Sequence, residues 1–156
     1  MKQTNTNVSR REMNFLPVSV NISGKRLLII GGGKVAHHKA SILSRFTDEA
    51  TVISPSFHEG FASLPFKRIT KEYEKTDLAG AFLIYICTGD RELNAAIKAD
   101  AADLGILASV CDNPALCDFI SPAIYKKDNI TVAVSSNGLD VKRAIETRDR
   151  IMNYEL

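Results

Sequence analysis

The chain contains no tryptophan, only three cysteines, and almost no surplus of either charge. Cys87, Cys111 and Cys117 are odd in number and show no C-x-x-C spacing, while His37, His38 and His58 all lie far upstream. That pattern argues against a disulfide framework and a structural zinc site, so no metal is expected and a reducing cytoplasm is the expected compartment. Twenty basic residues stand against eighteen acidic ones, a net charge of +2 with no long basic run, which gives no reason to expect a nucleic-acid partner. No apolar run approaches the roughly twenty residues of a membrane span. Met1 to Glu12 is polar and lacks the apolar stretch of a typical secretory signal, so it reads as a flexible tail, residues 1–14.

What remains is ordinary for a soluble domain: 45% apolar and 24% charged residues in 156 positions. A compact body of that length buries roughly 70% of its unfolded surface, enough for one core. Lys25 to Ile30 reads as a strand, Lys34 to Arg45 as a helix, and Ala50 to Ser54 as a second strand stopped by Pro55. A helical segment around Phe57 to Ser63 precedes a short strand at Phe66 to Ile69. The nearly all-apolar FLIYIC, Phe82 to Cys87, suits a parallel strand covered on both faces. Arg91 to Leu104 then carries Leu93, Ala96, Ile97 and Ala101 on one helical stripe, and Ile106 to Val110 supplies another strand. Strands alternating with helices predict an open parallel sheet with right-handed crossovers. Phe15 to Val20, interrupted by Pro17, is an edge strand or a loop. After residue 115, Phe119 to Tyr125 is an extended arm or hairpin partner for a strand at Ile130 to Ser135, and Val141 to Met152 is helical. Residues 15–115 therefore suffice for a nucleotide-binding domain. Residues 116–156 are too few for a core of their own and form either a dimerisation extension or a piece folded back on the sheet.

The stretch LLIIGGGKVAHHKASIL, Leu27 to Leu43, changes from strand to helix period across three glycines. Gly31, Gly33 and Ala36 fit G-x-G-x-x-A: one glycine for the tight turn, one for close approach of a pyrophosphate, and a small residue for helix–strand packing. Lys34 and Val35 complete that turn, and a phosphate would sit on the free N–H groups there. The same junction also occurs in α/β domains that bind no dinucleotide. The acidic ribose partner sought about twenty positions on is missing; the second strand ends in Ser54, and Glu49 stands before that strand. Ser54 offers a hydrogen bond but no charge, which leaves the choice between NAD and NADP open.

With GGGKVAHHKA, CTGDRELN, SVCDNPALCDFISPA and ITVAVSSNG in that order, the chain from about Phe15 to Arg150 resembles the precorrin-2 dehydrogenase family, including the N-terminal dehydrogenase/ferrochelatase domain of siroheme synthases. The resemblance implies a Rossmann-like α/β domain with a short C-terminal β/α dimerisation extension. It also implies NAD as cofactor, oxidation of precorrin-2 (a polycarboxylated tetrapyrrole) to sirohydrochlorin, and in some members insertion of ferrous iron. It assigns Thr88, Asp90 and Asn94 to the cofactor, although Asp90 reads equally as a helix cap and Asn94 as an exposed first-turn residue. It assigns Asp112 to acid/base chemistry, where a carboxylate accepts the proton lost with the hydride; the alternative is an Asx turn into Pro114. Asn113 and Ser121 then become substrate contacts or turn residues, and Lys126 and Arg143 candidate partners for substrate carboxylates or members of a solvated charge run. The pattern departs from the family after SSNG, where LDVKRAIETRDR lacks the usual serine-proline opening, and the usual C-terminal helical domain has no counterpart before Leu156. A homodimer, or a separate partner, would then complete the cleft. Two other classes stay open: an NAD-sensing regulatory module, and a non-catalytic structural or assembly protein.

Overall fold

Strands whose side chains are buried on both faces belong in the middle of a sheet, and two segments meet that description: β1 (Arg26–Ile30) and β4 (Ala81–Ile86). In the computed structural model, which describes residues 13–154, these two strands pair with each other in parallel. β2 (Thr51–Ser54) pairs with the other side of β1, β3 (Lys67–Thr70) forms one edge, and β5 (Leu107–Val110) forms the other. The order β3-β2-β1-β4-β5 is parallel throughout. The chain thus moves outward from β1 in one direction through β2 and β3 and in the other through β4 and β5. A crevice opens where the direction switches, beyond the carboxyl ends of β1 and β4.

Alternation along β1 divides the core into two layers. Leu27 and Ile29 pack with Ala36, Ala40 and Leu43 of α1 (Lys34–Leu43), whereas Leu28 and Ile30 pack with Ile97 and Ala101 of α2 (Arg91–Asp103). Each fully buried Leu, Ile or Val contributes about 1.5–3 kcal/mol, so these layers fix the strand ends on which the site is built. Alanine at positions 36 and 40, both with no exposed surface, lets α1 lie close against β1.

The extension is a separate antiparallel pair, β6 (Ala123–Lys127) and β7 (Ile130–Val134), with α3 (Val141–Met152) packed on it. A lone hairpin is marginal in water, and the helix supplies the missing apolar cover. β6 begins directly after Pro122, which donates no ladder hydrogen bond, so only the later part of Phe119 to Tyr125 is a strand. Leu139 and Val141, 75% and 65% exposed, leave apolar surface uncovered at the start of α3. One local expectation changes: the helix around Phe57 to Ser63 is a 3-10 turn at Glu59–Ser63. Of the two readings of Phe15 to Val20, edge strand or loop, the loop holds, since no strand forms there. Most of the expected tail, residues 1–12, lies outside the described residues. Among the described residues no helix is long and apolar enough to cross a membrane.

Candidate functional site

A cavity of about 480 Å³ occupies the crevice at the switch point and is lined by Gly31, Gly32 and Gly33. The three glycines have different reasons to be there. Gly31 has φ +120°, and a Cβ added to it would overlap the backbone carbonyl of Cys87. A Cβ on Gly32 would overlap the Ser56 carbonyl and crowd the Ser54 hydroxyl. Gly33 has nothing within 4 Å of its Cβ position. The first two glycines are thus required by the chain's own packing, and the third faces open space. Gly33 is also the N-cap of α1, which has no side-chain cap and no acidic residue in its first turn. Its leading N–H groups therefore lack a side-chain acceptor, and the positive end of the helix dipole is uncompensated by a carboxylate. That donor set, with room in front of it, fits the pyrophosphate of a dinucleotide.

The other expected cofactor residues fall into three groups. Lys34, Ser54 and Thr88 line the cavity with the glycines, Ser54 being buried against Gly32. Ala36 is a packing residue, and Val35 is 53% exposed and lies outside this cavity. Asp90 caps α2, its carboxylate accepting from the N–H groups of Glu92 at 2.9 Å and Leu93 at 3.1 Å. Asn94 is only 2% exposed, which overturns the surface alternative. Its amide nitrogen donates to the Thr88 carbonyl at 3.1 Å, and its amide oxygen accepts from the Thr88 hydroxyl. Both ends of the side chain are thereby engaged in holding Thr88. Sequence reasoning missed Lys71, Glu72 and Tyr73, which follow β3 and line the same cavity. Their signal was positional: the carboxyl end of every strand on this side of the switch point faces the crevice. Glu72 brings a carboxylate to a cavity whose second strand offers none. Lys71 is committed to Asp77 and Glu74, whose hydrogen bonds hold its ammonium above the ordinary value. Burial, then the hydrogen bond to Asp100, pushes the Tyr73 hydroxyl far up.

Asp112 stands just past β5, its side chain 48% exposed, with the Arg91 Nε at 3.8 Å. It shares a cavity of about 260 Å³ with Arg91, Asn94 and Asn113. Asn94 therefore touches both places: it lines the hollow of Asp112 and holds Thr88, which lines the hollow of the glycine turn. One buried amide braces the end of β4 and lines the hollow beyond β5.

The cysteines correct a sequence expectation. Cys87 and Cys111 are joined as a disulfide, with Cα atoms 5.3 Å apart. The register that sets Ile86 beside Val110 puts the following residues side by side as well, a proximity that a sequence separation of 24 conceals. Cys117 is free and accepts from the Val110 N–H at 3.2 Å.

A third cavity, about 370 Å³, lies between α1, the end of β5 and the extension. Ser121 lines it, together with His38, Lys39, Arg45 and Arg148. Lys126 and Arg143 lie outside these three cavities: Lys126 is exposed and donates to the Asp128 carbonyl at 2.9 Å, and Arg143 is exposed on α3 with its backbone N–H on Asp140. Among the described residues no three His, Cys, Asp or Glu side chains are grouped to hold a metal.

A family model described as "Putative NAD(P)-binding" matches residues 18–123. The chain is 42% identical over 130 residues to the siroheme synthase of Psychrobacter arcticus, covering 81% of this chain and 24% of that protein. It is 36% identical over 130 residues to the siroheme synthase of Nitrosococcus oceani, covering 81% and 28%, and 36% identical over 143 residues to that of a Psychrobacter species, strain PRwf-1, covering 89% and 29%. The chain thus spans about a quarter of the length of these curated relatives. A solved structure described as "SirC, precorrin-2 dehydrogenase" shares the fold, with a TM-score of 0.74 at 19% identity over 90% of this chain and 72% of that one.

Proposed function

The chain belongs to this NAD(P)-binding family, and from that premise we propose that it is an NAD-dependent dehydrogenase acting on precorrin-2 in siroheme biosynthesis. The observation that carries the reading is the pair of groups at the carboxyl edge of the sheet. An uncapped helix N-terminus opens beyond Gly33 after β1, and a carboxylate, Asp112, stands past the end of β5, on the far side of β4. The siroheme synthases to which this chain is similar make a tetrapyrrole the substrate of choice.

In this reading the first-turn N–H groups of α1 hold the pyrophosphate, and Gly33 leaves space for it. Ser54 and Glu72 are placed to meet ribose hydroxyls, a choice that favours NAD because a carboxylate repels an additional phosphate. Thr88, fixed by Asn94, faces the same cavity and orients what binds there. The bound cofactor supplies the hydride acceptor. Asp112 receives the proton that leaves the macrocycle, directly or through water. The overall change balances as precorrin-2 and NAD⁺ giving sirohydrochlorin, NADH and a proton. Asn113 shares the Asp112 hollow and orients the substrate edge there.

Residues 15–115 form the cofactor unit in this proposal and residues 116–156 the dimerisation and cleft extension, assembling a homodimer in the cytoplasm. Lys126 and Arg143 then reach substrate from a second copy. Calorimetry tests the cofactor half: NAD binding that is equal in the wild type and in folded Gly33→Ala removes the pyrophosphate from this turn. Adding ferrous iron after the dehydrogenation has run to completion tests for chelation separately from hydride transfer.

A further inference from the structure

The Cys87–Cys111 pair stands between the two groups on which the proposed chemistry depends. Cys87 follows β4 and precedes Thr88; Cys111 follows β5 and precedes Asp112. The backbone there is paired independently of the sulfurs, the Cys87 N–H donating to the Ile30 carbonyl at 2.8 Å and the Cys111 N–H to the Ile86 carbonyl at 3.0 Å. The sheet therefore keeps its hydrogen bonds whether the sulfurs are joined or not. The two cysteines differ in access. Cys87 is 8% exposed and packs in the layer of Leu27 and Ile29, whereas Cys111 is half-buried and lines the open cavity of about 370 Å³. Cys117 lines the same cavity, but its thiol is engaged, accepting from the Val110 N–H at 3.2 Å and lying 3.3 Å from the Val110 carbonyl. Beyond the disulfide little restrains the Asp112 carboxylate. Among the described residues its ion-pair partner is Arg91, at 3.8 Å and with a side chain 91% exposed.

We propose that Cys87–Cys111 is a reversible thiol-modification site, entered at Cys111 by small thiols, and that its joined form holds Asp112 in place for proton transfer. An entering thiolate attacks the Cys111 Sγ, the exposed side of the pair. The new bond joins the external sulfur to Cys111; the Cys87–Cys111 bond breaks, and its electron pair leaves with Cys87, which takes a proton from water. A second thiolate then attacks the external sulfur of this mixed disulfide and releases Cys111. Two thiols are oxidised to one small disulfide, and one cystine is reduced to two cysteines; the reverse sequence closes the pair. Two separate thiols need more room than a disulfide, so opening lets the residues after β4 and β5 part. Asp112, next to Cys111 and with few other restraints, loses its fixed position relative to Thr88 and the cofactor cavity. The control of Asp112 rests on the dehydrogenase reading above; the thiol site itself does not.

The test equilibrates the whole chain with glutathione or with glutathione disulfide, then counts free thiols after quenching and unfolding. The oxidised chain should show one thiol, Cys117, and the reduced chain all three. Peptide mapping after brief exposure to glutathione should find the mixed disulfide on Cys111. Cys117→Ala should still close the pair, leaving no free thiol. Because the bond closes a loop between residues 87 and 111, reduction should lower Tm by about 7–14 °C, while circular dichroism shows the same fold in both states. With NAD and precorrin-2, the oxidised chain should show a kcat about tenfold or more above that of the reduced chain, as expected when a reacting group loses its position. KM for NAD should agree within about twofold, because the glycine turn is untouched. Cys111→Ala should not respond to glutathione in either readout. Three free thiols in excess glutathione disulfide, a mixed disulfide on Cys87, or loss of closure in Cys117→Ala would each overturn the site. Equal kcat in the two states would overturn the control of Asp112. A thiol count that switches as expected, with no precorrin-2 oxidised in either state, would keep the thiol site and reject the dehydrogenase reading together with that control.

Discussion

Replacing Gly31 and Gly33 one at a time by alanine should separate what the fold needs from what a ligand needs. At Gly31 the backbone has φ +120°, a region an L side chain rarely adopts, and the new Cβ meets the carbonyl of Cys87. Holding a non-glycine residue in such a region costs about 1–3 kcal/mol. The overlap adds to this because both partners are backbone and no side chain can swing away. A total of about 3 kcal/mol in a domain of this size lowers Tm by about 6–12 °C. At Gly33 the backbone is extended, φ −80° and ψ −168°, and the Cβ meets nothing. Only a weaker N-cap is lost, at most about 1 kcal/mol, so Tm should fall by no more than about 4 °C. NAD affinity, measured by calorimetry, should fall by about tenfold or more, which corresponds to about 1.4 kcal/mol. Gly31→Ala melting with the wild type, or Gly33→Ala being the more destabilised of the two, would refute this division of roles.

Asn94→Ala leaves the Thr88 carbonyl and hydroxyl without their buried partner and should cost about 1–3 kcal/mol in chemical denaturation; a loss below about 0.5 kcal/mol would show that the amide does not hold β4's end. Asp77 carries a pH signature. Burial acts to raise its carboxyl, but hydrogen bonds from Lys71 and the Glu74 N–H prevail and hold it below the ordinary value of 3.8. A depressed folded-state value means that the stabilisation is complete above the ordinary value and lost as pH falls through the folded one. The Tm difference between wild type and Asp77→Asn should therefore be larger at neutral pH than near about pH 3, and a gap that widens in acid would contradict the pairing. Sedimentation across a range of concentrations should show two chains per particle, with Val141→Asp shifting the balance to one; a wild type that stays monomeric throughout removes the proposed dimer.

The parallel sheet and its helices were legible because each is a local pattern: an apolar run stopped by glycine or proline, then a 3.6-residue stripe. The glycine turn was legible for the same reason, and so was the placement of Asp112 at a strand end. Asn94 was harder to read. Its first-turn position suggested exposure, and only the rotation of α2 over β4 shows that its side chain points inward. The Cys87–Cys111 pair depends on the β4–β5 register, which no spacing rule states. Lys39, Arg45 and Arg148 form one cationic wall although the last two are separated by about a hundred positions of chain. Net charge hides such a cluster, because nearly equal numbers of acids lie elsewhere. Glu72 escaped notice because the search for a ribose partner stopped at the second strand, whereas the third ends in the same crevice.

The most direct measurement places the wild-type chain with NAD and precorrin-2 under anaerobic conditions and records NADH and the macrocycle spectrum together, beside Asp112→Asn. The expected result is NADH and sirohydrochlorin appearing in equal amounts with the wild type. The variant should bind NAD with wild-type affinity and turn over at least about a hundredfold more slowly. Equal rates in the two proteins would remove Asp112 from the chemistry, and a folded wild type that binds NAD yet forms neither product would contradict the dehydrogenase assignment itself.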